Sequence, residues 1–226
     1  MNIGFYGDSY SATEHPSAWT NLLATQLNAT ICDSGVPGGG LLQTALAWKK
    51  HKQPIDVAVI TFTWRGRFYA DPADWKWSFL KSPLQKPENK TQKDYTEFQA
   101  AFHAYYKWLF DQEEQDFHYE RDLEWLMGLA KAHPETKFIF LPNNEYARNL
   151  CVKYFDSGVL VDFAFDHISN NELNSPGEQP CYDTRYCHMN PANNQKVANL
   201  LTNIVQNFDK YNNSIYNIDY KQFDLK

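Results

Sequence analysis

The sequence opens with a short apolar run that ends in Gly7-Asp8-Ser9. A helical pattern begins soon afterwards, so Ser9 is predicted to lie in the turn between a strand and a helix. In such a turn a hydroxyl can be exposed while backbone N–H groups point outward beside it, as an oxyanion hole requires. Serine is a weak nucleophile without a base, so this chemistry also needs a histidine that reaches the same place.

His188 is the candidate base among the seven histidines of the chain. It directly precedes NPANNQKVANLL, where the last helix is predicted to begin. The loop before this helix is expected at the carboxyl end of the strands, the edge at which ligand sites form in parallel sheets. His188 can therefore meet Ser9 in space, although the two are far apart in sequence. Four other histidines lie in or beside polar helical stretches and are interpreted as solvated: His51, His103, His118 and His133.

Strand-like and helical patterns alternate five times along the chain, which is typical of a parallel sheet with helices on both faces. The clearest strand is DVAVITFT, a nearly continuous β-branched run of the kind found at the centre of a parallel sheet. The first helix is predicted to begin at Pro16-Ser17, and the tail after Asn212 shows no clear period. The five predicted strands are Asn2–Tyr6, Ala29–Cys32, Asp56–Thr63, Lys137–Leu141 and Val159–Phe165.

Residues 64–92 interrupt this alternation and are predicted to form an inserted loop in a single domain of residues 1–226. The segment has no period and contains Trp64, Trp75 and Trp77 together with several prolines. Long loops in compact domains are commonly lids or binding loops. The three tryptophans fit two roles equally well, stacking on sugar rings or packing within a lid or interface.

Composition and charge exclude several functional classes. The formal net charge is -6 and the lysines and arginines do not cluster, so a nucleic-acid surface is not expected. No apolar run approaches the ~20 residues of a membrane span, and no signal peptide precedes the first strand, so a cytoplasmic protein is expected. Four cysteines are too few for a disulfide scaffold in 226 residues, so free thiols are expected.

GDSYSA near the N-terminus, a glycine turn about thirty residues later and a histidine just before the last helix resemble the SGNH (GDSL-type) hydrolase superfamily. FYGDSYSATEHPSAWTNLLATQL is similar to its first block, DSGVPGGG to its second and HMNPANN to its last. The resemblance covers the chain from Tyr6 to about Leu201. It implies a three-layer α/β/α sandwich with a flavodoxin-like parallel sheet, here of about five strands. It also implies hydrolysis of esters, thioesters or O-acetyl groups without a cofactor.

The resemblance implies a role for each matching residue. Ser9 is the nucleophile and His188 is the base, while the backbone N–H groups of Ser9 and Gly38 form the oxyanion hole. The implied substrate is a small-molecule or carbohydrate ester. Three further residues near this centre are predicted to bind the substrate: Asp8, Trp64 and Arg67.

Two positions depart from the superfamily pattern. The third block usually supplies Gly-x-Asn-Asp after the central strand, but this chain has Thr63-Trp64-Arg65-Gly66, so the oxyanion-hole Asn is missing. Arg65 is the nearest donor, and its guanidinium reaches further than an amide. The last block usually carries an Asp three residues before the His, where this chain has Arg185, so Asp183 is the nearest acid. A Trp-plus-Arg third block is similar to that of divergent members, including sequences of phage or marine origin.

Each of these residues also has a non-catalytic interpretation. Ser9 would then be a helix N-cap, and Gly38 would be a turn residue that needs positive φ. Asp8 would hold the turn by accepting hydrogen bonds from backbone N–H groups. The remaining candidates would be surface residues without a catalytic role: His188, Asp183 and Arg65.

Of three other functions, the sequence suits one and disfavours two. The missing third-block Asn suits a catalytically degenerate SGNH scaffold that recognises a carbohydrate or a protein partner. A phosphate- or nucleotide-binding domain is disfavoured, because neither G-x-G-x-x-G nor G-x-x-x-x-G-K-[ST] occurs. Cys181, Cys187 and His188 lack a fourth ligand at metal spacing, so no metal is expected, and the two cysteines would pair only in oxidising surroundings.

Overall fold

The structure is a computed structural model that describes residues 1–37, 39–63, 76–78, 82–85, 100, 104, 108, 111–162, 165, 167–168, 189–223 and 225. Within these ranges the strands are β1 (Asn2–Tyr6), β2 (Thr30–Asp33), β3 (Val57–Phe62), β4 (Lys76–Ser78), β5 (Ser82–Gln85), β6 (Lys137–Pro142), β7 (Val159–Asp162) and β8 (Ser214–Asn217). The helices are α1 (Trp19–Gln26), α2 (Leu41–Lys50), α3 (Gln112–Ala132), α4 (Glu145–Tyr154), α5 (Pro191–Gln206) and α6 (Phe208–Tyr211).

Six of these strands form one parallel sheet in the order β2-β1-β3-β6-β7-β8. β3 is buried along its whole length and pairs with β1 on one side and β6 on the other. Because neighbouring strands are parallel, the carboxyl ends of β1, β3 and β6 meet at the same edge of the sheet. This confirms the predicted α/β fold, with a sheet of six strands in place of about five.

Helices cover both faces of the sheet and bury two separate apolar clusters. Alternate side chains of β3 divide between the clusters, as the period of a strand requires. Val57 and Val59 lie under α1 and α5, whereas Ala58 and Ile60 lie under α2, α3 and α4. The result is the three-layer α/β/α sandwich that the sequence resemblance implied.

Side-chain caps fix where three of the helices begin. Asp111, Asn144 and Asn190 each accept a hydrogen bond from a backbone N–H in the first turn of α3, α4 and α5. Pro191 follows Asn190 at the start of α5, where a backbone N–H would have no partner within the helix. The caps of α4 and α5 therefore set two helix starts at the carboxyl edge of the sheet.

The end of the chain differs from the prediction in two places. β7 ends at Asp162, and Phe165, predicted to close this strand, is instead helical and fully buried against Trp19. β8 lies at the end of the strand order, and its residues alternate between half-buried and exposed. An edge strand held by pairing with its neighbour needs no continuous apolar run, so the polar tail gave no strand signal.

The predicted insertion at 64–92 lies largely outside the described residues. β4 and β5, which fall within it, form an antiparallel pair apart from the main sheet. Across the ranges that the structure describes, no helix combines the length and the apolar character needed to cross a membrane.

Candidate active site

The turn after β1 is held by Asp8 and shaped by Gly7. The Asp8 carboxylate is fully buried and accepts hydrogen bonds from Tyr10 N (3.0 Å) and Thr63 Oγ1 (2.7 Å). Gly7 has φ 144°, and a Cβ there would lie 1.9 Å from Thr61 Oγ1, so glycine is required. The contacts of Asp8 match the turn-holding interpretation. The substrate contact also predicted for Asp8 stays a prediction.

Ser9 begins a short 3₁₀ turn, Ser9–Ser11, directly beyond the carboxyl end of β1. It is partly exposed, whereas Ser11 is fully buried. The Ser11 hydroxyl donates to Asp8 O at 3.1 Å and accepts a hydrogen bond from Thr61 Oγ1 at 3.1 Å. Ser11 therefore belongs to the framework of the turn, and of these two serines only Ser9 has appreciable exposed surface.

The glycine-rich segment after β2 lies directly against this turn. Gly35 N donates to Ser11 O at 3.0 Å, and Val36 N donates to Gly7 O at 2.9 Å. A Cβ on Gly35 would lie 2.2 Å from Ser11 Oγ, so this close approach of two chain segments requires glycine. Gly38, the predicted oxyanion donor, lies outside the described residues, two positions beyond Val36.

Thr63, the residue after β3, joins this strand both to the turn and to α3. Its hydroxyl donates to the Asp8 carboxylate, and its carbonyl oxygen accepts a hydrogen bond from Tyr119 Oη at 2.6 Å. These bonds fix the point at which the chain leaves the sheet toward the altered third block. The predicted site residues that follow lie outside the described residues: Trp64, Arg65 and Arg67.

Three hydrogen bonds connect the turn after β1 with the start of α5. Trp19 Nε1 donates to Tyr10 O at 2.7 Å, and Trp19 N donates to Asn194 Oδ1 at 2.9 Å. Asn194 Nδ2 in turn donates to Met189 O at 2.7 Å. Tyr10, next to Ser9, and Met189 are thus joined through two buried side chains.

Met189 immediately follows His188, the predicted base. It is buried in the same apolar cluster as Tyr10 and Phe165. The Phe165 ring contacts the rings of both Tyr10 and Trp19, with centroids 5.0 and 5.9 Å apart. The cluster therefore packs the end of the last loop against the turn after β1. Two predicted site residues of that loop lie outside the described residues: His188 and Asp183.

Sequence reasoning did not single out the residues that hold these segments together. Thr63 and Tyr119 form bonds between distant parts of the chain, for which no local pattern exists. Asn194 lies in HMNPANN, the motif from which only His188 was assigned a role. The one available signal was its position on the predicted buried face of an amphipathic helix, where an apolar side chain is expected. A buried amide in a helix normally has a specific partner.

A serine–histidine contact is observed just before α1. Ser17 Oγ lies 2.8 Å from His15 Nδ1, and Ser17 N donates to the same ring nitrogen at 3.3 Å. One ring nitrogen thus faces both the hydroxyl and the N–H of a residue two positions away. This is the geometry of a local turn contact, and it supplies a useful control for Ser9.

A cavity of about 530 Å³ opens at the opposite edge of the sheet, where β3 and β6 begin. Its lining includes Trp48, His51, His133 and Glu135. Ligand sites in open parallel sheets form beyond the carboxyl ends of the strands, and this cavity lies at the amino ends. We therefore assign the candidate active site to the edge that carries Ser9, in spite of the cavity's volume.

Among the described residues, no three His, Cys, Asp or Glu side chains are grouped so that they could hold a metal ion. Cys32 and Cys151 are free thiols, and burial raises the pKa of Cys151, which therefore stays protonated and unreactive. Cys181 and Cys187, the pair considered for a disulfide or a metal, lie outside the described residues.

Comparison with known proteins identifies the fold. No family model matches this sequence, and no curated protein is similar enough to count as a match. A solved structure named "putative GDSL-like lipase" from Parabacteroides merdae is 17% identical with a TM-score of 0.50, covering 91% of this chain and 95% of that one. The acetyl xylan esterase AlAXEase is 15% identical with a TM-score of 0.49, covering 91% of this chain and 100% of that one. A carbohydrate esterase family 2 enzyme from Corynascus thermopiles is 12% identical with a TM-score of 0.45, covering 93% of this chain and 67% of that one.

The first of these likenesses shows the class of fold. The chain has the SGNH hydrolase-like α/β/α sandwich that its motifs predicted. At 17% identity the likeness concerns the fold alone, so an activity has to be argued from the residues of this chain.

Proposed function

We propose that this protein is a serine hydrolase that cleaves an ester or O-acyl group, with Ser9 as nucleophile and His188 as general base. The observation that carries the proposal is the hydrogen-bonded path from Tyr10 through Trp19 and Asn194 to Met189. The path fixes the neighbour of each reactive residue to the other across nearly the whole length of the chain.

Covalent geometry extends this argument to His188 itself. His188 is bonded directly to Met189 in the sequence. Ser9 stands in the same relation to Tyr10. The path therefore supports a contact between hydroxyl and imidazole, the first requirement for an activated serine.

The reaction follows from the roles of these groups. His188 takes the proton of the Ser9 hydroxyl as its oxygen attacks the acyl carbonyl, and Asp183 orients the imidazole. The N–H groups of Ser9 and Gly38, with Arg65 as a charged donor, stabilise the oxyanion. The alcohol leaves with the proton from His188, and water then hydrolyses the acyl-enzyme with the same base.

The proposed substrate is a small-molecule or carbohydrate ester. Trp64 offers a flat aromatic face on which a sugar ring can stack, and Arg67 offers a fixed positive charge for a polar or anionic substituent. Both follow β3 within a few residues in the sequence, and β3 ends at the edge of the sheet that carries Ser9.

A fluorophosphonate probe, which reacts with activated serines, tests the nucleophile directly. We expect labelling of the wild-type protein at Ser9, located by peptide mass spectrometry, and no labelling of Ser9→Ala. Hydrolysis of a p-nitrophenyl ester should fall by at least roughly 10³-fold in the same variant. Its thermal unfolding should be nearly unchanged, because Ser9 is partly exposed and its loss leaves no core cavity.

Ser17→Ala is the matched control, because Ser17 lies within hydrogen-bond distance of His15 but outside the proposed site. This variant should keep both the labelling and the hydrolysis. A label on Ser17 would contradict the assignment of Ser9. Absence of any label on the folded wild-type protein would contradict the proposed activity and favour the degenerate scaffold that binds a carbohydrate or a protein partner.

A further inference from the structure

Asn143 is a buried polar residue whose side chain makes no hydrogen bond to the described parts of the fold. It follows β6 directly, and its side chain has no exposed surface. Neither Oδ1 nor Nδ2 has a hydrogen-bond partner among the described residues. Burying an amide without partners costs free energy comparable to a lost hydrogen bond, so its presence requires an explanation.

Local structure does not explain the choice of asparagine at this position. The cap of α4 is supplied by the next residue, Asn144, whose Oδ1 accepts a hydrogen bond from Ala147 N at 2.9 Å. The backbone of Asn143 does not have the positive φ that favours asparagine, unlike Asn28 and Asn213. A leucine of similar size would fill the same space without burying an unpaired amide.

The register of the sheet places Asn143 beside Thr63. Its N–H donates to Phe62 O at 3.0 Å, which continues the parallel ladder of β3 and β6 by one residue. Residues in register on neighbouring strands point to the same face and lie about 4.8 Å apart. Leu141, two residues earlier, lies in the cluster under α1 and α5, so Asn143 belongs to that face.

The same face carries the other parts of the candidate site. Thr63 Oγ1 reaches Asp8, the neighbour of Ser9, and Met189 is buried in the cluster on this side of the sheet. The amide of Asn143 therefore stands one strand away from the residue that precedes the altered third block. That block is where this chain lacks the neutral amide donor implied by the superfamily resemblance.

We propose that Asn143 is the neutral amide donor of the oxyanion hole, delivered from β6 in place of the missing third-block Asn. Its Nδ2–H donates to the carbonyl oxygen of the acyl group as negative charge develops on that atom. The inference rests on the proposed serine hydrolase activity. It makes Asn143 a catalytic residue that donates to the oxyanion beside the groups already proposed, the N–H groups of Ser9 and Gly38 and the Arg65 guanidinium.

Asn143→Leu separates this role from a structural one, because the leucine removes the amide and keeps the volume. With a p-nitrophenyl ester, kcat should fall by about 10²- to 10³-fold while KM changes little, as expected for a contact made only in the transition state. The melting temperature should stay constant or rise, since no hydrogen bond within the described residues is lost.

Asn144→Ala is the matched control from the adjacent position. It removes the cap of α4, so its melting temperature should fall while kcat stays within roughly twofold of the wild-type value. Asn143→Met supplies a second test if the leucine variant does not fold. Its flexible, unbranched side chain fills a similar volume without an amide, so the rates of hydrolysis and of fluorophosphonate labelling should both fall.

Two results would overturn the inference while the proposed activity stands. One is wild-type kcat in Asn143→Leu or Asn143→Met when hydrolysis still depends on Ser9. The other is a lowered melting temperature in Asn143→Leu with unchanged kcat, which would show that the amide has a structural partner. If the wild-type protein neither hydrolyses esters nor takes the label at Ser9, the proposed activity itself fails, and the inference fails with it.

Discussion

The two edges of the parallel sheet hold their polar residues in different states. At the carboxyl edge, Asp8, Thr61 and Thr63 are fully buried, and hydrogen bonds join them to the turn that carries Ser9. At the amino edge, His133 Nδ1 and Glu135 Oε1 lie 3.2 Å apart beside an open cavity, where Glu135 is largely exposed and His133 is partly exposed. The groups around Ser9 thus form a buried, hydrogen-bonded framework, whereas the His133–Glu135 pair is in contact with solvent.

This difference indicates that fixed, hydrogen-bonded side chains mark the edge suited to catalysis better than the volume of a cavity does. Burying polar groups lowers stability unless each one is paired, so a buried network is kept only where its geometry matters. Groups fixed in advance also need no reorganisation when charge develops in a reaction. Solvated groups beside a cavity lack that advantage. Substitutions at the carboxyl edge should therefore lower stability and hydrolysis more than substitutions at the amino edge.

The largest effect is expected at Gly7. In Gly7→Ala the new Cβ would lie 1.9 Å from Thr61 Oγ1, in a backbone conformation with φ 144°. Overpacking and backbone strain together should lower the free energy of unfolding by about 3–5 kcal/mol, measured by urea denaturation. Gly128→Ala in α3 is the control: nothing lies within 4 Å of its Cβ, and it should stabilise the protein by about 0.5–1 kcal/mol. Equal behaviour of the two variants would show that the turn is not rigid.

Asp8→Ala should have the next largest effect. It removes the cap of the turn and leaves the buried Thr63 hydroxyl without its acceptor, so about 2–3 kcal/mol of unfolding free energy should be lost. Ester hydrolysis should fall as well, because Ser9 loses its support. Asp219→Ala is the control, since Asp219 caps the exposed turn Tyr220–Gln222 in the same way. It should cost about 1 kcal/mol or less and leave hydrolysis intact. Equal losses would remove the distinction between buried and exposed turns.

Asn194→Ala tests the link between the turn after β1 and the last loop. Loss of its bonds to Trp19 and Met189 should lower the free energy of unfolding by about 1–3 kcal/mol. It should also lower kcat by roughly tenfold or more, because the segment next to His188 is no longer held in place. Asn199→Ala is the control: Asn199 also joins α5 to α1, through Gln26, but at an exposed position. Normal kcat in Asn194→Ala would mean that the base does not depend on this link.

The smallest effect is expected at the amino edge. His133→Ala removes a contact with Glu135 and an edge-on ring contact with Trp48 at 5.4 Å. Ester hydrolysis should stay within about twofold of the wild-type value, because no reacting group lies at this edge. The pKa of Glu135 is held below its usual value first by its own backbone N–H and also by His133. It should rise slightly in the variant, as NMR titration can measure. A large loss of hydrolysis would reverse the comparison of the two edges.

The sequence by itself determined the local elements and the residues at which they begin and end. β1 was predicted with its observed bounds, and β3 was recognised from its β-branched run, because the hydrophobic period of a strand is written in consecutive residues. The order of Gly7-Asp8-Ser9, the glycine segment and HMNPANN was enough to predict the fold class. The turn-holding role of Asp8 was also accessible, since an acidic residue before a short helical turn is a common cap.

Only the tertiary structure decided which distant groups meet. The path from Tyr10 to Met189 joins segments more than 170 residues apart in the chain, as the bond between Trp19 and Asn194 shows. β8 forms because it pairs with β7. Asn143 can be singled out only in the folded structure, where its side chain is buried and its amide has no hydrogen-bond partner among the described residues. Patterns in sequence record local preferences, whereas pairing and burial depend on neighbours that folding brings together.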